Sequence, residues 1–130
     1  ADAAAAAARA AHGLGTVLVT LQQLAEARGA FEEALRHAPE RDDTRLQLAL
    51  ALASHGWRLQ ALAEAETIIR RQPGWAAPRR LRAELMAERG LLYEAEADYT
   101  VVLGCADGGA HDVYARGQVR AELRRADDAL

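Results

Sequence analysis

The sequence predicts an all-α protein built from consecutive helix pairs, and three observations lead to this class. The 130 residues include only 3 prolines and few β-branched side chains, and about a quarter of them are alanine. Apolar residues recur at intervals of three and four, as at Leu46, Leu50 and Ala53. The pattern of small, large and helix-breaking residues also repeats after 34 positions, which is typical of stacked helix-pair repeats.

The 34-residue period is visible at several kinds of position. Each unit predicts a first helix (helix A) and a second helix (helix B), with a small residue in the middle of helix A and an alanine at the start of helix B. The small residues are Gly15, Ala49, Ala83 and Gly117, and the alanines are Ala27, Ala61, Ala95 and Ala129. Large apolar residues share further phases of the period, namely Phe31, Leu35, Ile69, Tyr99 and Leu103. We expect the small positions to let two helices approach closely and the large ones to pack against the next pair, so that the units stack into a solenoid.

The predicted elements follow in order along the chain. The first unit has LGTVLVTLQQL as helix A and AEARGAFEEALRHA as helix B, and the second has DDTRLQLALALASHG and RLQALAEAETIIRRQ. The third has AAPRRLRAELMAERG and LLYEAEADYTVVLG, and the fourth has AHDVYARGQVRAEL and ends as its helix B begins. Leu123 and Leu130 would therefore be uncovered.

Helix-ending residues support these boundaries. Gly56 and Gly90 stand where a left-handed residue ends helix A. Pro39 and Pro73 stop helix B, whereas Pro78 is tolerated in a first turn. Two further features suit helix starts: Asp42 and Asp43 by capping and the helix dipole, and Trp75 as a hydrophobic staple.

Several of these residues together resemble the tetratricopeptide repeat. They are Leu14, Gly15, Ala27, Phe31, Ala34, Leu35 and Pro39. Some positions depart from that family's pattern: Gln22 replaces a glycine, Ala11, Arg45 and Arg79 replace a bulky residue, and Arg82 replaces a leucine. The resemblance spans about residues 8–130 and implies a right-handed superhelix, or α-solenoid, of about 3.5 units.

The expected organisation is a single domain. Its repeats cover about 8–41, 42–75, 76–109 and an incomplete 110–130. The chain starts without Met, and we expect it to be an excerpt of a longer protein. The alanine and arginine richness suggests a GC-rich, bacterial-type genome, and cytoplasm and periplasm both stay open as the location.

The resemblance implies a non-enzymatic scaffold that binds a partner peptide or helix in a concave groove lined by helix A. The positions carried over to the groove are His12, Thr16, Val19, Leu46, Leu50, Ala53, Arg80, Glu84, Ala87, Tyr114, Gln118 and Ala121. Some family members grip a C-terminal carboxylate with Lys and Asn, and this chain has neither residue. Its residues at the matching places are His12, Thr16, Gln47, Ala77 and Leu81, so we expect no chaperone-tail binding of that kind. The alternative function is self-association within a larger protein, for example in bacterial secretion or polysaccharide export.

Catalytic and metal sites are weakly indicated. Glu33 and His37 stand four apart beside Glu32, as a metal or acid–base pair would. Their counterparts in the next unit are Thr67 and Arg71, so an exposed helix face explains them as well. Cys105 and His111 flank a DGG turn, and nothing completes a triad. We therefore predict no enzyme activity, metal or cofactor.

The charge pattern limits the remaining partners. A net charge of −3 gives no global field for nucleic acid, and no apolar run is long enough for a membrane span. Arg116, Arg120 and Arg124 form a basic stripe with Arg125 beside them, which is either a solvated face or a contact for an acidic partner or an anionic surface. Trp57 is a further candidate contact, since aromatic residues anchor interfaces.

Overall fold

The computed structural model describes residues 2–130 as seven α-helices joined by turns, with no strand in that range. The helices are α1 (Asp2–Thr20), α2 (Leu24–His37), α3 (Asp42–His55), α4 (Arg58–Arg71), α5 (Ala76–Glu88), α6 (Leu92–Leu103) and α7 (Ala110–Asp128). They form two compact units, of which unit 1 ends at Ile68 and unit 2 begins at Ile69. The predicted all-α class of consecutive helix pairs is confirmed.

Helices α2 to α6 begin and end within two residues of their predicted limits, whereas the terminal helices are longer. Helix α1 begins at Asp2 instead of Leu14, because the alanine run ahead of Leu14 is itself a strong helix former. Helix α7 continues to Asp128, and Ala129 is its C-cap. The prediction that Ala129 opens a fourth helix B was therefore wrong, since no turn-forming glycine or proline precedes it.

In unit 1, α2 packs against both α1 and α3. The ring of Phe31 is fully buried and lies directly over Gly15, where a Cβ atom would stand 2.5 Å from the ring. This contact is the close approach that the small position predicted. Ala27, at the predicted start of helix B, is also fully buried.

In unit 2, α6 packs against both α5 and α7. One buried cluster joins the three helices through Ala83, Ala95, Tyr99, Val119 and Leu123. Leu123 is therefore covered by α5 and α6, and the expectation that it would be uncovered was wrong; Leu130 is fully exposed. By contrast, a Cβ added at Gly117 meets no atom within 4 Å, because no helix within residues 2–130 lies over this face of α7.

Arginines occupy the helix A position where the repeat family has a bulky residue, and the structure shows how they are accommodated. Arg45 donates to Glu64 of α4 at 2.9 Å, and Arg79 lies 3.6 Å from Asp98 of α6. The two acids stand 34 residues apart, as the two arginines do. Arg82, which replaces a leucine, donates two hydrogen bonds to the same Asp98 at 2.7 and 2.8 Å. Ion pairs between helix A and helix B thus replace apolar packing in these two repeats.

The turns between helices A and B need left-handed backbone. Gly56 and Gly90 have φ angles of 98° and 78°, as their predicted role requires. Gln22 occupies the matching place in the first repeat with a φ of 61°. A residue with a Cβ atom is strained there, so the missing glycine at this position has an energetic cost.

The predicted helix starts need correction at two places. Asp42 and Asp43 lie inside the first turn of α3, and the N-cap is Arg41, so these acids act through the helix dipole rather than as the cap. The hydrogen bond from Arg41 to Asp43, at 2.8 Å, lowers the pKa of the Asp43 carboxyl. Trp75 is the N-cap of α5. A hydrophobic staple requires an apolar residue one position before the N-cap, so Trp75 does not form one.

Replacing Gln22 by glycine should stabilise the protein by about 0.5–1 kcal/mol, because glycine adopts positive φ without steric strain. Urea unfolding followed by circular dichroism measures the change. The control is Gln60→Gly, an exposed position inside α4, which should lose about 0.5–1 kcal/mol. Equal effects of the two substitutions would contradict the strain at Gln22.

Replacing Gly15 by alanine should destabilise the protein by about 1–3 kcal/mol, because the new methyl group overlaps the buried Phe31 ring. Gly117→Ala is the matched control at the same repeat position. It has open space around it and should gain up to about 1 kcal/mol of helix propensity. Thermal unfolding of both variants tests the opposite signs.

Candidate functional site

The helix A face of unit 1 is organised around His12. Its Nδ1 atom lies 2.9 Å from the hydroxyl of Thr44, which is fully buried on α3. The His12 ring also packs on Phe31 of α2, with 5.8 Å between ring centroids and a tilt of 59°. His12 therefore links α1, α2 and α3 and is only partly available to a partner.

The other predicted groove residues of unit 1 form a mainly apolar surface. Leu50 is exposed, Val19 and Ala53 are half-buried, and Leu46 is buried. Thr16 is exposed, and its hydroxyl donates to the His12 carbonyl at 3.1 Å. A ligand on this face would meet the Leu50 side chain and the oxygen of Thr16.

In unit 2, the guanidinium of Arg80 is engaged within the protein. It donates to both carboxylate oxygens of Asp112 at 2.6 and 2.9 Å, and to the carbonyl of Asp107 at 3.3 Å. These hydrogen bonds lower the pKa of the buried Asp112 carboxyl and raise the pKa of Arg80. Asp112 also accepts from the backbone N–H of Gly109 at 3.0 Å, which ties it to the start of α7. Arg80 thus joins α5 to α7.

Glu84 lies on the same side of α5 as Arg80. Its residue is exposed, yet the protein around the carboxyl removes enough water to raise its pKa. Burial raises the pKa of Tyr99 to about 12, and the carboxylates of Glu84 and Asp112 add to this shift. The Tyr99 phenol is therefore neutral at physiological pH. Of the two carboxylates that act on it, Asp112 is buried and Glu84 is exposed, so Glu84 is the one that a ligand can reach.

Helix α7 presents two exposed groups of the predicted groove, Tyr114 and Gln118. Tyr114 is 64% exposed, and its hydroxyl accepts a hydrogen bond from the Gln118 amide at 3.2 Å. Ala87 and Ala121, also carried over to the groove, are half-buried. An aromatic ring beside an amide offers both apolar contact and hydrogen bonds to a peptide backbone.

The predicted basic stripe is partly used inside unit 2. Arg120 donates to Glu96 at 2.8 Å, and Arg116 donates to the Thr100 hydroxyl at 3.4 Å. Both therefore hold α7 against α6, while Arg124 and Arg125 are exposed. The stripe is not a continuous free basic surface.

Trp57 also has an internal role. It is half-buried between α3 and α4, with the His55 ring 3.9 Å from its own and the Arg28 guanidinium 4.7 Å above it. This cation–π contact connects α2 to the turn that follows α3. The Trp57 ring is thus a packing residue of unit 1.

The residues considered for catalysis or metal binding, Glu33, His37, Cys105 and His111, do not form a cluster of three or more metal-binding side chains within residues 2–130. Glu33 and His37 are exposed on α2, and among residues 2–130 no three His, Cys, Asp or Glu side chains are placed to hold a metal ion. His37 lines an open cavity of about 470 Å³ that also includes Arg9 and Arg41. The Cys105 thiol donates to the Val101 carbonyl at 3.4 Å, and His111 is exposed on α7. None of the helices described is both long and apolar enough to cross a membrane.

Sequence reasoning missed the buried polar partners Thr44, Asp98 and Asp112. A signal for two of them was present, because Thr44 and Asp112 share one phase of the 34-residue period, as His12 and Arg80 share another. Each pair has a separation of 32 residues. A polar residue in the phase of Thr44 and Asp112 therefore indicates a polar partner 32 residues earlier, in the phase of His12 and Arg80.

Comparison with solved structures identifies the fold. The first TPR domain of Spaghetti (RPAP3), bound to the HSP90 peptide SRMEEVD, is 14% identical with a TM-score of 0.86, over 92% of this chain and 95% of that one. The TPR domain of Arabidopsis OM64 is 15% identical with a TM-score of 0.86, over 92% and 98% of the two chains. A thermophilic TPR protein of Thermus thermophilus, TTC0263, is 23% identical with a TM-score of 0.77, over 94% and 69%.

The chain therefore has the tetratricopeptide-repeat fold, as the repeat pattern predicted. No family model matches the sequence. No curated protein matches it either. The arginines at bulky positions and Gln22 in the turn between α1 and α2 depart from the repeat pattern, yet the helix pairs form.

Replacing Asp112 by asparagine should destabilise the protein by about 2 kcal/mol at pH 7, because the buried charge-assisted bonds to Arg80 are lost. Folding lowers the pKa of Asp112, so its stabilisation is complete above the unfolded pKa, about 3.9. It disappears as the pH falls through the lower folded-state pKa. The difference between wild type and variant should therefore shrink below about pH 4.

Urea unfolding at a series of pH values from about 2.5 to 7 measures this difference. Asp43→Asn is the control, because that carboxylate pairs with Arg41 at an exposed position and should contribute less than about 1 kcal/mol. A pH-independent loss in Asp112→Asn would show that packing, and not the ion pair, is responsible.

Proposed function

We propose that this chain is a non-catalytic interaction domain that binds a peptide or helix of a partner protein on its helix A faces. The observation that carries the proposal is the exposure of Tyr114 beside Gln118 on α7, the first helix of the last repeat. Large exposed aromatic side chains are the residues on which binding energy concentrates. A peptide bound to the RPAP3 domain of the same fold supports this kind of ligand.

The charges of unit 2 define the chemistry of the ligand. The Arg80 cation is neutralised by Asp112, whereas the Glu84 carboxylate is reachable and partly desolvated. Such a surface favours a neutral or basic peptide and repels an acidic one. An acidic tail such as the SRMEEVD peptide of the RPAP3 complex would also find no Lys or Asn here.

The exposed face of unit 1 adds apolar contact through Leu50. A peptide bound to this face of unit 1 would therefore carry an apolar residue opposite Leu50. The proposed domain catalyses no reaction. Its Cys105 thiol donates a hydrogen bond to a backbone carbonyl, and Glu33 and His37 are ordinary exposed side chains.

The test begins with selection of binding peptides from a display library, followed by calorimetric titration of the best peptide. Tyr114→Ala should weaken its binding by about 10-fold or more, since the substitution removes an exposed aromatic contact. Glu84→Gln should weaken basic peptides more than neutral ones.

The matched control is Tyr93→Ala on α6, because Tyr93 is also 64% exposed but lies outside the helix A face. Peptide binding in that variant should stay within about twofold of wild type. Equal losses in the two tyrosine variants, or selection of acidic peptides only, would contradict the proposed surface.

A further inference from the structure

The outer face of α1 carries an apolar seam that no other helix within residues 2–130 covers. The seam consists of Ala3, Ala7, Ala10, Leu14 and Val17 on α1 and of Leu21 in the turn that follows it, spaced alternately by four and three residues. Its three large members are 53, 54 and 59% exposed, in chain order. This spacing is that of the a and d positions of a coiled coil, which pack against another helix.

The repeat frame supplies an independent reason to expect a helix on this seam. The positions of Ala10, Leu14 and Val17 correspond to Thr44, Leu48 and Ala51 of α3, one period later. All three of these α3 residues are buried, and α2 packs against α3. In unit 2 the counterparts of Ala10 and Val17 are the buried Asp112 and Val119 of α7, against which α6 packs. The α1 seam thus continues an interface that elsewhere in the chain accepts a helix.

The order of residue sizes along the seam points to which helix fits. An antiparallel pairing of two α1 helices about a two-fold axis near residue 12 places Ala3 opposite Leu21. It also places Ala7 opposite Val17 and Ala10 opposite Leu14. Every layer then contains one small and one large side chain, so the two helices keep a constant separation. A parallel pairing would oppose leucine to leucine at one end and alanine to alanine at the other, which leaves the alanine end loosely packed.

The charges of α1 are compatible with contact between identical surfaces. The positions flanking the seam on its exposed side are Ala6, Gly13 and Thr20, which carry no charge. Two copies therefore bring no like charges together along this edge. The antiparallel arrangement also sets the positive end of each helix dipole beside the negative end of the other.

We propose that the α1 seam binds the α1 seam of a second copy of this chain and forms an antiparallel two-fold dimer. A two-fold contact is self-complementary and closes on itself, so the assembly stops at two chains. One helix face from each copy gives an interface at or below the usual lower size of stable complexes, about 1,200 Å². We therefore expect a concentration-dependent dimer that is half-formed at roughly 10–500 μM.

Sedimentation equilibrium of the 130-residue chain between about 5 and 500 μM tests the proposal across that range. The mass should rise from one chain to two, and Leu14→Arg should weaken dimerisation at least about 10-fold. Leu59→Arg is the matched control: Leu59 is 67% exposed, on α4, and the same substitution there should leave the dimer unchanged. Because both leucines are exposed, circular dichroism should show both variants folded.

A mixing experiment tests the register as well as the face. Ala10→Glu and Leu14→Arg should each be monomeric alone, because a charge enters an apolar layer twice in each homodimer. Mixed in equal amounts, the two variants should form a heterodimer, since the introduced carboxylate and guanidinium then meet in one layer. Ala3→Glu mixed with Leu14→Arg is the mismatched control and should form at least about 10-fold less heterodimer.

Three outcomes would overturn the proposal. The first is a monomer at every concentration up to about 500 μM. The second is a dimer that survives Leu14→Arg but is lost in Tyr114→Arg, which would place the contact on α7. The third is a mass that keeps rising beyond two chains, because a two-fold seam cannot produce it. The peptide-binding experiments with Tyr114→Ala are independent of all three.

Discussion

The contact on which the first repeat depends is the one between Gly15 and the ring of Phe31. Two helices can approach this closely only where one of them has a glycine at the point of contact. Here the approach buries the whole ring of Phe31 between α1 and α2. His12 packs on the same ring and reaches Thr44, so the position of α3 relative to α1 follows from this contact.

The period of 34 residues made most of the fold predictable. Phe31, Gly56, Gly90 and Pro39 have physical roles that need no neighbour to be known: burial, positive φ or the end of a helix. The ends of the chain were less predictable because the period has no partner repeat there. The alanines before Leu14 were compatible with either a tail or a helix. Between Leu123 and Ala129 the absence of glycine and proline favoured a continuous α7, but the period indicated a new helix there.

The candidate site was predictable in position but not in availability. The period placed Arg80 on the helix A face, yet it could not show that Asp112 would take up its guanidinium. Likewise, Arg120 and Arg116 looked like a free stripe because Glu96 and Thr100 lie on another helix. Which polar groups remain for a ligand is decided by side-chain pairs across helices, and those depend on packing distances that a single sequence does not contain.

The polar pairs of this chain fall into two kinds, according to whether they join helices of one repeat or of successive repeats. Arg45 and Glu64 belong to the same repeat, so a duplication of that repeat would copy both members of the ion pair. Arg80 with Asp112 joins two successive repeats. Deleting residues 76–109 would place Leu46, the residue in the phase of Arg80, before Asp112 and leave a buried carboxylate without its guanidinium. The pair of Arg80 and Asp112 therefore stabilises the protein only when their two repeats follow one another in this order. Rearrangements of the gene that separate these repeats would leave Asp112 unpaired.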